Sequence, residues 1–377
     1  VITRTANAEE SNTRYAQGGI VSRGLDDSPQ LLASDVAAAG AGLCRPEAVR
    51  LLAEEGPGRV QRLLIEDAGV VFDRDTGGAL LHTLEGGHSV PRVLHVGDAT
   101  GRAIEEALIA RLRELPNVTL MTQATVVDLI TSPHHCRDPL AVYRPITCHG
   151  AYVLEREPGV VRRVLAPATV LATGGLGRIY RYTSNPEGAR GDGLAMAYRA
   201  GARIVNAEFV QFHPTTLAVP GAENFLISEA VRGEGGKLYT PDGRHFMDSY
   251  APRWGDLAPR DVVARAIHHE MIEHGYPHVL LDLASHMAPD RIRQRFPTIH
   301  ATCLRAGVDI SLDPIPVVPA AHYFCGGVLV DGWGRSTIEG LYTVGAVSYT
   351  HLRAHETTAS ISYAVFCLKR GGGGGGG

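Results

Sequence analysis

The sequence predicts an α/β protein with a second domain inserted into the first. Three observations carry this. Short apolar strands and amphipathic helices are mixed along the whole chain rather than grouped in blocks. Thr169-Val170-Leu171-Ala172-Thr173 reads as a fully apolar strand, as in a parallel sheet covered on both faces. It runs into Gly174-Gly175-Leu176-Gly177, and Gly191-Asp192-Gly193 then opens another helix.

In chain order, Val1-Ile2-Thr3 reads as the end of a strand and Ala16-Gln17-Gly18-Gly19-Ile20 as a glycine-bearing loop. Helices are expected over Ser34–Ala41 and Pro46–Glu55, the second with Pro46 in the first turn, where its missing N–H costs nothing. Val70-Val71-Phe72 reads as a short strand. Ala103–Leu115 has helical apolar spacing, and Val118–Met121 and Thr125–Ile130 read as the strands that follow. Ser132–Arg144 is polar and Pro-bearing, hence a surface loop. Leu194–Ala200 and Val262–His274 are helices. Val279–Asp282, Val328–Asp331 and Leu341–Gly345 are late strands.

Bulk properties narrow the function. A chain of 377 residues has room for two or three domains. Its 44% hydrophobic and 20% charged content is that of a soluble enzyme. A net charge of −4 without a basic block disfavours nucleic acid. No signal peptide or long apolar run is present, which favours a cytoplasmic setting without a membrane. The six cysteines form no CxxC pair, so neither a zinc knuckle nor a disulfide framework is indicated. His269 and His274 are five apart, a spacing that does not put both imidazoles on one helix face, and the stretch reads as a solvated helix face rather than a metal site.

Chemistry concentrates in Gln211-Phe212-His213-Pro214-Thr215, Leu257-Ala258-Pro259-Arg260-Asp261 and Ala320-Ala321-His322-Tyr323-Phe324-Cys325-Gly326-Gly327. Each places a potential cation beside Pro or Gly, which fix backbone direction. Several aimed cations suit a small dicarboxylate, because each carboxylate needs a charge-assisted donor once water is excluded. Singly, each has a bland reading. His213 could be a core histidine, and Arg260 could pair with Asp261 or Glu229. Glu85-Gly86-Gly87-His88-Ser89 could be a solvated turn, and Asp192 a helix cap.

Together, the order of motifs resembles the succinate dehydrogenase/fumarate reductase flavoprotein superfamily over roughly residues 1–348. The matching stretches are Ser11–Ile20, Ala172-Thr173-Gly174-Gly175, Asn185-Pro186 with Gly191-Asp192-Gly193, Gln211–Thr215, Arg232–Gly236, Pro259-Arg260-Asp261 and Ala320–Tyr323. The resemblance implies a Rossmann-like FAD-binding domain, lacking its first βα unit, with an inserted α+β capping domain. Its segments would be 1–206 and 323–348 for the FAD domain and 207–322 for the cap. It implies FAD contacts at Ser11, Asn12, Thr13, Tyr15, Ala16, Gln17, Gly18, Gly19, Thr173, Gly174 and Asp192. The flavin would be noncovalent, because Asn12 stands where succinate dehydrogenases carry the attaching His. Glu85-Gly86-Gly87-His88-Ser89 is similar to a loop of the superfamily's aspartate-oxidising members, whose acid is associated with the substrate's amino group.

That likeness implies oxidation of L-aspartate to iminoaspartate with O2 or fumarate as acceptor. This would be the first step toward quinolinate and NAD, with transfer of iminoaspartate to quinolinate synthase. It gives Arg260 a catalytic place and Glu85, His213, Ser228, Glu229 and His322 substrate contacts. Two alternatives remain open: a fumarate reductase or succinate-oxidising flavoprotein, and a fragment unable to hold FAD. The family's glycine-rich pyrophosphate loop would precede Val1. From Tyr349 the composition changes and the chain ends in a glycine run, so 349–377 is expected to be a non-native or disordered tail.

Overall fold

The longest strand, Ile315–Phe324, pairs antiparallel with Val210–Leu217. Val279–Asp282 and Lys237–Tyr239 extend it into a four-stranded antiparallel sheet in the order 237–239, 279–282, 315–324, 210–217. Strand 210–217 lies at the edge, where Pro214 can lack an N–H without breaking an internal ladder. The helix Arg260–His274 packs over this sheet and buries Val263, Ala266 and Ile267. It ends at Gly275, whose φ of +70° is the left-handed conformation of a helix stop. Ile227, Phe246, Ile292 and Phe296 join the same core. Each such side chain removed from water contributes roughly 1.5–3 kcal/mol. The computed structural model describes residues 1–349 apart from 41, 86, 133–135, 223 and 224.

The chain leaves for this sheet and returns from it at one place. Gly327 and Val328 pair antiparallel with Val205 and Ile204, so the segments on either side of the excursion are neighbours. Ser348–Tyr349 adds a parallel strand to the other side of Gly327–Leu329. Thr169–Leu171 pairs in parallel with Leu341–Thr343. A parallel pair between strands so far apart in sequence, with an antiparallel sheet inserted between them, is the expected α/β class with an α+β insertion. Ala124–Thr131, Cys148–Glu155 and Val160–Leu165 form a separate antiparallel meander. Ile20–Val21, Val93–Leu94 and His82–Thr83 form a small sheet beside the helices Pro29–Ala39, Pro46–Arg59 and Thr100–Arg113.

Several expected elements differ. The first helix starts at Pro29, not Ser34, because the Ser28 side chain accepts from the Leu31 N–H and Pro29 presets the first turn. The second runs past Glu55 to Arg59 and continues as a wider π-type turn over Val60–Asp67. Gly56 and Pro57 are buried there, and Val60 and Leu64 continue the apolar face. Val70 and Phe72 are buried and Val71 is exposed, a strand-like alternation. No ladder forms, because the Val70 N–H is taken by the Leu64 carbonyl. Of Val118–Met121 only Met121 bridges, to Ile2. Strand 169–171 is not covered on both faces: Val170 is 54% exposed. Pro139–Tyr143 forms a short 3-10 turn within the expected loop. The solvated face expected around His269 holds one buried carboxylate. Glu270 is 3% exposed and pairs with Arg244 and Tyr250. Tyr349, placed in the expected tail, is buried and its hydroxyl accepts from Asn206 Nδ2 at 2.8 Å. Residues 350–377, the rest of that expected tail, lie outside the described residues.

Candidate active site

Strands 210–217 and 315–324 bring His213 and His322 together through irregular pairing. Ala320 pairs with His213, Ala321 with Phe212 and Tyr323 with Gln211, so His322 is the extra residue of a bulge. A bulge redirects one side chain without ending the ladder, and the two imidazole rings sit 5.3 Å apart, edge to face. Arg260 comes from a third element. It is the first residue of helix 260–274, held there by extended Pro259. Its Nε donates to Glu229 Oε2 at 2.7 Å and its Nη1 to Gln211 Oε1 at 3.5 Å. Glu229 also faces Arg232 Nη2 at 3.9 Å, and Arg232 is fully buried. Arg260 thus pairs with Glu229, while Asp261 pairs with Arg265 along the helix.

Burial and neighbouring cations decide the charge states. His213 is buried, and burial followed by the fields of Arg260 and His322 holds its pKa well below the ordinary value. His322 is lowered to about 3 by burial and then by Arg260. Both imidazoles are therefore neutral at pH 7. The expectation of three cations is corrected to one cationic guanidinium, Arg260, whose field reaches two neutral imidazoles, with Arg232 paired to the same Glu229. The His213 Nδ1 lies 3.2 Å from both the N–H and the carbonyl oxygen of Thr215, which hold the ring in place from one side. His322 Nδ1 lies 2.6 Å from the Ser184 hydroxyl. Glu229 is driven below the ordinary carboxylate value, because Arg260 and Arg232 outweigh its desolvation.

Glu85 joins this cluster from strand 82–83 and its loop. Its Oε1 accepts the Gly19 N–H at 3.2 Å. Burial raises its pKa, partly offset by that hydrogen bond and by Arg260. Gly86 of the same loop lies outside the described residues. Ser228 is half-buried, and its hydroxyl accepts the Ala230 N–H at the entry to the helical turn Ala230–Gly233.

The first loop lies alongside. Gln17 is buried, and its Nε2 donates to the Leu226 carbonyl at 2.7 Å while its Oε1 is buried without a partner. Ser11 Oγ accepts from the Thr13 N–H, and Ser11 also bonds to Glu105. Asn12, Thr13, Ala16 and Gly18 are half-buried, Gly19 is buried and Tyr15 is exposed. Thr173 is exposed at the end of its strand, and Gly174 follows with φ +73°. A Cβ on Gly174 would lie 3.4 Å from Asn12 Nδ2, so the two loops are adjacent. A Cβ on Gly193 would lie 1.9 Å from Thr173 Oγ1, so only glycine lets that helix approach. Asp192 is the first residue of helix Asp192–Arg199, not its cap. Gly191 is the cap, and Asp192 is half exposed, 3.9 Å from Arg4.

Sequence reasoning missed Gln211, Arg232 and Ser184 as site residues. Gln211 and Arg232 stood inside quoted motifs, so an inward cation and amide there could have been read. Ser184 had no signal, because its contact with His322 spans 138 residues.

The arrangement and the fold define a flavoprotein. The FAD binding domain family model matches residues 1–362, and the chain belongs to that family, whose cofactor is FAD. Within it, the chain is 47% identical to L-aspartate oxidase 1 of Ralstonia nicotianae over 96% of its own length and 67% of the relative. It is 48% identical to L-aspartate oxidase of Pseudomonas aeruginosa, over 94% of its length and 65% of the relative. The chain thus spans about two thirds of these relatives. Among solved structures, an E. coli quinol fumarate reductase superposes with a TM-score of 0.87 at 28% identity, covering 100% of this chain and 66% of that one.

The residues fit such a cofactor. A flat dinucleotide needs backbone that can be approached closely. The turn at Thr173-Gly174 is open and side-chain-poor, and the orphaned Gln17 Oε1 lies in the neighbouring loop. Among the described residues no group of three or more His, Cys, Asp or Glu could hold a metal ion. No helix of the described residues is long and apolar enough to cross a membrane.

Proposed function

We propose that this chain carries the substrate site of an FAD-dependent L-aspartate oxidase. The reaction is L-aspartate plus O2 to iminoaspartate plus hydrogen peroxide, with fumarate able to replace O2. It is the first step toward quinolinate and NAD. In this reading iminoaspartate passes to quinolinate synthase in the cytoplasm, and segments 1–206 and 323–348 hold the flavin while 207–322 caps it. The observation that carries the reading is Glu85: a carboxylate set within electrostatic reach of Arg260. A substrate with two carboxylates and an ammonium matches that pattern of charges.

The geometry supports a role for each residue in this reading. Arg260 supplies the positive charge for a substrate carboxylate. Glu229 and Gln211 fix the direction of its guanidinium, and a guanidinium stays charged at any working pH. His213 and His322, both neutral imidazoles with rings 5.3 Å apart, flank the same pocket. A neutral donor orients a carboxylate without adding charge that burial would oppose. Glu85 meets the ammonium. Oxidation needs that nitrogen as a neutral amine, and Glu85, whose pKa is raised by burial, is suited to hold the released proton. FAD, when bound, supplies the two-electron acceptor. The reading places it noncovalently against Ser11, Asn12, Thr13, Tyr15, Ala16, Gln17, Gly18, Gly19, Thr173, Gly174 and Asp192. Ser228 borders the substrate beside Glu229.

A fumarate reductase activity is the second reading, favoured by the superposition on a quinol fumarate reductase. Such an enzyme would use Arg260 and the imidazoles but has no ammonium for Glu85 to meet. Flavin-loaded protein in air should release hydrogen peroxide on addition of L-aspartate. Peroxide from succinate and none from L-aspartate would transfer the assignment to the second reading.

A further inference from the structure

The Glu85 loop also carries His88 and Ser89, which the proposed chemistry does not use. Both turn away to a buried charge cluster. Arg92, at the loop's far end, has no solvent exposure. Its Nη2 donates to Asp27 Oδ1 at 2.9 Å and its Nη1 to Asp35 Oδ2 at 2.5 Å, with Asp35 in the middle of helix 29–39. The Ser89 N–H and hydroxyl both donate to the same Asp35 oxygen at 2.9 Å. His88 Nδ1 lies 3.2 Å from Arg92 Nη1. A guanidinium can only donate, so Nδ1 is the acceptor and His88 is a neutral imidazole in this contact. The backbone N–H of His88 donates to the Glu85 carbonyl at 3.2 Å, and Gly87 between them has φ +81°.

We propose that Asp35, Arg92, His88 and Ser89 form a latch that positions the Glu85 carboxylate, and so sets the preference for an amino dicarboxylate over a plain one. The proposal rests on the reading that Glu85 meets the substrate amino group. One end of the loop is pinned to a rigid helix through Asp35 and the other is tied to Gly19 through the Glu85 side chain. Arginine is required at 92 because its planar fork reaches two carboxylates and an imidazole at once, which a lysine point charge does not. These are positioning residues: none needs to touch substrate.

The test compares the KM for L-aspartate with the competitive inhibition constant of succinate in flavin-loaded protein. The variants are Ser89→Ala, Asp35→Asn, Glu85→Gln and the Asp35→Asn/Glu85→Gln pair. The latch predicts that the KM-to-inhibition-constant ratio rises about tenfold in Asp35→Asn, the scale of a weakened charged hydrogen bond. A smaller rise is expected in Ser89→Ala, and in the pair no rise beyond Glu85→Gln alone. Ser89→Ala keeps every ionic contact of Arg92 and serves if Asp35→Asn does not fold. A ratio that rises in Glu85→Gln but not in Ser89→Ala or Asp35→Asn overturns the latch and leaves the role of Glu85 standing. A ratio unmoved by Glu85→Gln overturns that role and the latch with it.

Discussion

Arg260 occupies a position that helix electrostatics disfavour. A cation at the first residue of a helix faces the positive end of the dipole, a penalty of about 0.3–1 kcal/mol. The Glu229 carboxylate at 2.7 Å offsets it. Such a conflict between local preference and observed residue marks a position kept for its charge. Arg260→Lys retains the charge but loses the fork to Glu229 and Gln211, so kcat/KM for L-aspartate should fall about 10- to 100-fold. Steady-state kinetics on the variant check this. The neutral state of His322 has a consequence for acid stability. Its folded pKa of about 3 lies below the unfolded value, so the unfolded chain binds more protons between these values. The stability is complete above about pH 6.5 and is lost as pH falls toward 3, at up to about 1.4 kcal/mol per pH unit. Denaturant titrations at pH 7 and 5 should show a smaller loss in His322→Gln than in the parent.

Among the secondary elements, one distant cap joins the small sheet region to the inserted one. Asp98 accepts the N–H groups of Thr298 and Ile299 and the Thr298 hydroxyl, closing the start of helix Pro297–Arg305 from 200 residues away. Asp98→Ala should cost about 0.5–2 kcal/mol of unfolding free energy and Asp98→Asn less, measured by denaturant titration. Helices 100–113, 192–199 and 260–274 were legible, the first from apolar spacing, the second from the Gly191-Asp192-Gly193 turn that opens it and the third from its start at Arg260-Asp261. Strands 124–131 and 279–282 were legible as short apolar runs. The Asp98 cap was not, since a cap supplied across the chain leaves no local pattern. Nor was the bulge that frees His322, because pairing register is a property of two segments and not of either alone. Val70–Phe72 shows the converse: it reads as a strand and its side chains alternate between buried and exposed, but no ladder forms.

At the scale of the molecule, the site exists only because three separated stretches converge. Residues 213, 260 and 322 come from an edge strand, a helix start and a bulge, and Glu85 comes from a different sheet. Which residues would gather was legible, because Pro and Gly mark where the backbone is fixed and chemistry needs opposed charges in one pocket. Their charge states were not. Protonation depends on burial and on Arg260's field, which only the assembled structure supplies. The proposed flavin contact at Thr173 is tested by Gly193→Ala. A Cβ there meets Thr173, so the variant should retain less flavin per protein, read as the ratio of flavin to protein absorbance. In the proposed reading the pocket takes a dicarboxylate bearing an ammonium. Its most direct test is an anaerobic titration of the flavin-loaded protein with L-aspartate and, separately, with succinate. Oxidised flavin absorbance should fall with L-aspartate at concentrations where succinate leaves it unchanged; bleaching by succinate alone would rule out a pocket built around an ammonium.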